Sequence, residues 1–436
     1  MRLESVAQPE ADPRQSPAYG AAETAQRAGC LRELAAARQH TDELFALIRP
    51  AALYDRAIAE RHRPIFYIGH LEAFDWNLGR GHLEPGAAPE GLDRLFAFGI
   101  DPDPDDPQRL PADQPADWPD RAAVQRYSDE RRRRFDEAAA RLPTQLLHVA
   151  LEHRLMHAET LCYLMHWLPL ADKQPVAPPP PDPTAPPPAQ AIDIPAGTAV
   201  LGLPRDGATF GWDNEFCEHT EHVPAFRIDR YKVTNADYLR FVEAGGPVPH
   251  FWIPDAAGRF RLRCMFGEIP LPLAWPVYVT QEQAAAYASW RGASLPTEAQ
   301  LQRAACATPN SDGDSDGADR PYPWGDAAPT YAHGCFDFAR WDPLPVDATP
   351  RGDSALGVAQ LVGNGWEWTR TAFAPLPGWM PFSFYPGYSA DFFDGQHFVV
   401  KGGSPRTAAR LLRRSFRNFY RSNYRYVYAG FRCVSP

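Results

Sequence analysis

Gln174 to Gln190 reads QPVAPPPPDPTAPPPAQ, with nine prolines and no residue larger than Val or Gln. Proline fixes φ and lacks an N–H, so this run can continue neither a helix nor a sheet ladder, and it reads as a polyproline II spacer dividing the chain. Before it, the Ala/Leu/Arg-rich stretches Glu23–Leu47 and Ser128–Leu168 have helical spacing, broken by Pro-, Asp- and Gly-rich loops around residues 81–120. This half is expected to be a helical bundle. After the spacer, glycines and aromatics rise and two helices are expected, Asn235–Ala244 and Gln281–Trp290, among short segments punctuated by Gly and Pro. The organisation expected is a disordered tail over 1–20, a bundle over 21–173, a linker over 174–191 and a mixed α+β module over 192–436.

Composition narrows the function. Lys plus Arg minus Asp plus Glu is 44 − 54 = −10, which leaves no cationic field for nucleic acid or anionic lipid. No window approaches a membrane span, and the opening residues have no apolar core before a cleavage site, so the chain reads as soluble and cytoplasmic. Seven scattered cysteines without a CxxC pair argue against a disulfide scaffold and a thiolate zinc site. The run Arg131–Arg134 lies among Asp129, Glu130, Asp136 and Glu137, and is expected to be a solvated helix face. Oligomeric state is not legible.

The chemistry sits in histidines. In LEHRLMHAETL (151–161), His153 and His157 are one helical turn apart, about 40° around the axis, so their imidazoles can converge on one ion. His70 lies in the apolar, aromatic stretch YIGHLEAFDWNL (67–78), where an unpaired imidazole is costly to bury. Three neutral imidazoles leave the metal charge uncompensated, which suits an anionic substrate ligand; zinc and ferrous iron both accept such donors. Glu159 projects about 200° away from His157 and is expected to support the site from behind or to pack the bundle.

Beyond the spacer, AFRIDRYKVTNADYLRFVEAGG (225–246), SLPTEAQLQRAA (294–305), YPWGD (322–326), VGNGWEWT (362–369), VVKGGS (399–404) and AGFRCV (429–434) occur in order. Together they resemble the formylglycine-generating-enzyme-like, C-type-lectin-related module. That resemblance implies a compact fold with little regular structure, in which Trp366 and Trp368 serve packing. No copper-binding cysteine pair accompanies Cys433. A DinB-like bundle carrying His70 and then HxxxHxE, joined to this module, resembles the ergothioneine-type sulfoxide synthases over nearly the whole chain. The resemblance implies non-heme Fe(II) held by His70, His153 and His157, O2 as oxidant, and a new carbon-chalcogen bond on the imidazole of hercynine. It also implies a loop tyrosine that supplies a proton or electron; in PFSFYPGYSADFF (381–393) this is Tyr385, with Tyr388 second.

The departures bear on the donor. Where γ-glutamylcysteine-using members carry paired arginines, this chain has GIDPDPDDPQRLP (99–111), and where they carry Asn-Trp-Asp it has Asn418, Phe419 and Tyr420. An acidic loop repels a dicarboxylate, and a lost Asp removes a partner for its ammonium. The expectation is selenoneine synthesis from a neutral selenosugar, with ergothioneine synthesis from γ-glutamylcysteine or cysteine as the alternative. Aromatic faces suit the quaternary ammonium of hercynine, and Asn418 and Phe419, followed by Tyr420, are the candidates. Two other readings compete: a zinc-dependent thiol transferase, and a non-enzymatic ligand-binding protein.

Overall fold

A computed structural model describes residues 17–83, 91–97, 114–207, 209–308 and 320–436. The acidic stretch Asp101–Asp106, Arg109 and most of the expected tail lie outside these residues; helix α1 begins at Pro17. The chain forms two compact units. One comprises Met1–Glu43, Ile65–Gly99 and Ala116–Arg154, and the other Leu44–Pro64, Ile100–Pro115 and Leu155–Pro436. One boundary between these units falls inside a helix, between Arg154 and Leu155.

The first unit is built from α1 (Pro17–Ala46), α2 (Pro64–Leu83), α3 (Leu92–Leu95), α4 (Arg121–Ala138) and the start of α5 (Thr144–Trp167). Asp120 caps α4, its Oδ1 accepting from Ala123 N at 2.8 Å. The apolar core, with Leu34, Phe66, Phe135 and Leu147, encloses an ionic network. Arg154 Nη2 reaches Asp75 and Glu72 at 3.0 Å each, Arg38 lies 3.4 Å from Asp75, and Arg132 reaches Glu72 at 2.8 Å. Arg154, Glu72 and Asp75 are at most 2% exposed. Only part of the Arg131–Arg134 expectation therefore holds. Arg133 pairs on the surface with Glu137, whereas Arg131 grips Asp93 and Arg134 lies over the Trp76 ring, because three of the four point at neighbouring helices.

In the second unit the sheets are small. The strands are β1 (Ala191–Ile194), β2 (Gly197–Leu201), β3 (His219–Val223), β4 (Phe226–Asp229), β5 (Trp252–Pro254), β6 (Phe260–Cys264), β7 (Gly267–Pro270), β8 (Trp366–Ala372), β9 (His397–Lys401), β10 (Asn418–Arg421), β11 (Ala429–Gly430) and β12 (Val434–Ser435). They pair as β1-β4-β12, β2-β3, β5-β6-β7 and β10-β9-β8-β11. Helices α6 (Asn235–Glu243) and α7 (Gln281–Trp290) fall where expected. A third, α8 (Glu298–Cys306), was not anticipated; Thr297 and Gln300 close a reciprocal capping box at its start.

Three motifs meet at one buried triad. Glu367 accepts from Lys232 Nζ at 2.7 Å and from Arg432 Nε at 2.6 Å, with all three at most 1% exposed. Burial alone would push the Glu367 carboxyl up, but the two cations hold it down. Gly363 has φ 79°, and a Cβ there would lie 2.6 Å from Cys335 O, so only glycine fits this turn. The proline segment has no regular secondary structure and is laid along this unit: Asp182 accepts from Trp275 Nε1 at 2.8 Å, and Pro178 packs over Gly267. No helix among the described residues is long and apolar enough to cross a membrane.

Candidate metal centre

Helix α2 repeats an aromatic or imidazole ring every four residues, Phe66, His70 and Phe74, which stacks them on one face. His70 lies against Phe66 at 4.8 Å and 20°, and Phe74 lies flat on His153 at 3.4 Å and 9°. The His70 and His153 rings are 5.2 Å apart. His70 Nδ1 donates to Phe96 O at 2.7 Å, so Nε2 keeps the lone pair. Gly69 allows this contact: a Cβ there would lie 2.5 Å from the Phe96 ring. His157 follows His153 by one turn of α5, and the ligand nitrogens of His70, His153 and His157 lie within 4.8 Å of one another. All three are at most 8% exposed. Three imidazoles with one tautomer already fixed fit a divalent transition metal, ferrous iron or zinc. No carboxylate joins this cluster among the described residues.

Glu159 faces the C-terminal module. Its carboxylate accepts from Trp366 Nε1 at 2.8 Å, Ser404 Oγ at 2.6 Å and Thr407 Oγ1 at 2.7 Å. Burial pushes this carboxyl up, and the three donors pull it back. Trp366 does more than pack, since its indole N–H ties β8 to α5; Trp368 donates to Val279 O instead. A carboxylate two residues beyond the last histidine was visible in the sequence, but its partners, more than two hundred residues away, were not.

The loop tyrosines lie near the same helix. Tyr388 stacks on Trp212 at 4.1 Å, and its hydroxyl lies 3.5 Å from Sδ of Met156, the residue before His157. The Tyr385 ring is 5.6 Å from that of Tyr388. Ser389 anchors the loop by donating to Asp213 Oδ1 at 2.5 Å. On β10, side chains alternate: Asn418 Nδ2 donates to the Tyr420 hydroxyl at 3.1 Å, while Phe419, on the other face, stacks on Phe373 at 3.9 Å. The three candidate pocket residues therefore do not share a face.

Asp213 was missed in the sequence. It is fully buried, and burial pushes its carboxyl up to about 6, against the pull of Ser389. With a folded value above the unfolded 3.8, the native state holds the extra proton, so stability from this group falls as pH rises from about 4 to 6. Asp213→Asn should remove that fall, leaving the variant more stable than the parent by up to about 3 kcal/mol at neutral pH. Urea midpoints from acid to neutral pH measure it, and parallel profiles for parent and variant would exclude the effect.

Residues 176–436 match the sulfatase-modifying factor enzyme 1-like domain, and the chain belongs to that family. It is 39% identical over 259 residues to the hercynine oxygenase of Mycolicibacterium thermoresistibile, covering 53% of this chain and 56% of that protein. It is 28% identical over 485 aligned positions to ergothioneine biosynthesis protein 1 of Neurospora crassa, covering 88% and 55%, and 29% identical over 435 to that of Schizosaccharomyces pombe, covering 89% and 53%. The chain thus spans little more than half the length of these relatives. Their names and the domain match support the ergothioneine-type sulfoxide synthase family that the motifs resemble.

Proposed function

We propose that the chain is a non-heme iron, O2-dependent enzyme that joins a chalcogen to the hercynine imidazole carbon lying between the two ring nitrogens. The carrying observation is the cluster of three buried imidazoles, in a chain similar to proteins named hercynine oxygenase. When bound by His70, His153 and His157, ferrous iron would supply the redox chemistry that O2 requires. The residues of the chain do the rest. Neutral ligands favour an anionic chalcogenolate beside them, and Phe66 and Phe74 orient two of the rings and exclude water. Asn418 and Tyr420, on one strand face, offer an amide and an aromatic surface to the betaine, with Phe419 bracing the strand from behind.

The donor we favour is a sugar-linked selenol over γ-glutamylcysteine, because Asn418-Phe419-Tyr420 carries no anion for its ammonium and the acidic stretch Asp101–Asp106 repels its carboxylates. The test is metal analysis of protein purified without oxygen, followed by O2 uptake with hercynine and each donor in competition. Iron, hercynine-dependent uptake and a higher kcat/KM for the selenosugar are expected. Zinc without uptake would indicate a thiol transferase, absence of metal a binding protein, and preference for γ-glutamylcysteine an ergothioneine synthase.

Tyr385 is the proposed proton donor, because a phenol carries a transferable proton that phenylalanine lacks. Tyr385→Phe should keep iron and hercynine binding while diverting O2 use to oxidation of the donor alone. A second reading gives the role to Tyr388, whose hydroxyl meets Met156 beside His157. Unchanged coupling of O2 to product in Tyr385→Phe, with loss in Tyr388→Phe, would decide for it.

A further inference from the structure

Within the second unit, beside the last turns of α5, lies a cavity that the proposed reaction does not use. Its walls include His166, Arg263, Trp341, Asp342, Arg406 and Tyr428. Arg406 is 1% exposed, and its guanidinium carbon sits 4.9 Å from the Trp341 ring centroid and 5.0 Å from that of Tyr428. With two aromatic rings so close, hydrogen bonding is left to the in-plane edges of the guanidinium. Among the described residues neither Nε nor Nη2, the pair that forms its side-on fork, has a hydrogen-bond partner. A buried guanidinium edge left without an acceptor is costly, and its geometry matches two oxygens of a planar anion.

The neighbours favour an anion carrying one charge. Arg263 donates to the carbonyls of Trp167 and Leu168 at 3.3 and 3.1 Å, and Asp342 accepts from Met265 N at 3.2 Å. Two guanidinium cations against one carboxyl group, which burial pushes up, leave the wall at least one positive charge in excess. His166 adds none: burial holds its imidazole well below the usual range. Asn235 also lines the cavity; Nδ2 donates to Pro272 O at 2.8 Å, which turns Oδ1 into a buried acceptor with no donor among the described residues. The space open to the centre of a water-sized sphere is about 20 Å³. That exceeds the roughly 10–15 Å³ needed by one water and admits only a few heavy atoms.

We infer that this cavity is a bicarbonate site: two oxygens on the Nε/Nη2 edge of Arg406, and the remaining O–H directed to Asn235 Oδ1. The site is independent of the hercynine reading and stands or falls separately. The test uses the full chain in CO2-free buffer, titrated with 13C-bicarbonate and followed by carbon NMR line broadening and by Tm. Saturable one-to-one binding with a rise in Tm is expected. Chloride at matched ionic strength should give no saturable response, and formate, which lacks the O–H, should bind about tenfold more weakly. Arg406→Met should abolish binding. Should that variant fail to fold, Arg406→Lys keeps the charge, loses the fork and should weaken binding by at least about tenfold. No saturable binding to the parent, or unchanged binding in a folded Arg406 variant, would overturn the site; formate binding as tightly as bicarbonate would overturn the choice of ligand.

Discussion

His153→Ala should leave the protein folded, without iron and without turnover, and His70→Ala and His157→Ala should do the same. Each removes one of three nitrogens that lie within 4.8 Å of one another, and no carboxylate among the described residues joins the cluster to replace it. Loss of a supporting partner around a metal typically costs about 10–100-fold in affinity, and loss of a ligand should cost more. The His153 variant also uncovers one face of Phe74, a packing loss small beside the stability of a whole unit. Iron content after anaerobic reconstitution, measured beside product formation, separates the two effects. Full occupancy and activity in any one variant would remove that histidine from the site.

Arg154→Met should be the most destabilising single change in the first unit. It leaves Glu72 and Asp75 buried together with one fewer buried cation, and breaking such a pair costs about 3–5 kcal/mol. Burial already pushes the Asp75 carboxyl up, with Arg154 and Arg38 pulling it down. Without Arg154 it rises further, so the folded variant binds extra proton and its deficit is largest at neutral pH and smaller in acid. Because Arg154 follows His153 and the carboxylates lie two and five residues past His70, metal affinity should fall as well. Equal urea midpoints for parent and variant at neutral pH would refute the argument.

The parts legible in the sequence were those written in local spacing. His153 and His157 one turn apart, the proline segment and helices α6 and α7 needed only periodicity and composition. Helix α8 was legible too, in the Thr297-to-Gln300 capping pattern, but its short amphipathic run reads equally as loop. The partners of Glu159, the stacking of Phe419 on Phe373 and the burial of Asp213 depend on chain crossings that no local pattern encodes. The candidate residues on β10 illustrate the gap: three adjacent residues look like one patch in a string, but a strand sends the middle one to the opposite face.

The seam inside α5 has a consequence for how such chains are cut and recombined. The domain match begins at residue 176, yet Trp366, Ser404 and Thr407 hydrogen-bond Glu159, and Tyr424 and Tyr426 hydrogen-bond Arg61 and Glu60. A fragment or chimera joined at the prolines would carry the lectin-like half away from the helix and loop residues that pair with these hydrogen-bonding groups. Exchange between relatives therefore preserves those bonds only when residues 44–64 and the second half of α5 travel with it.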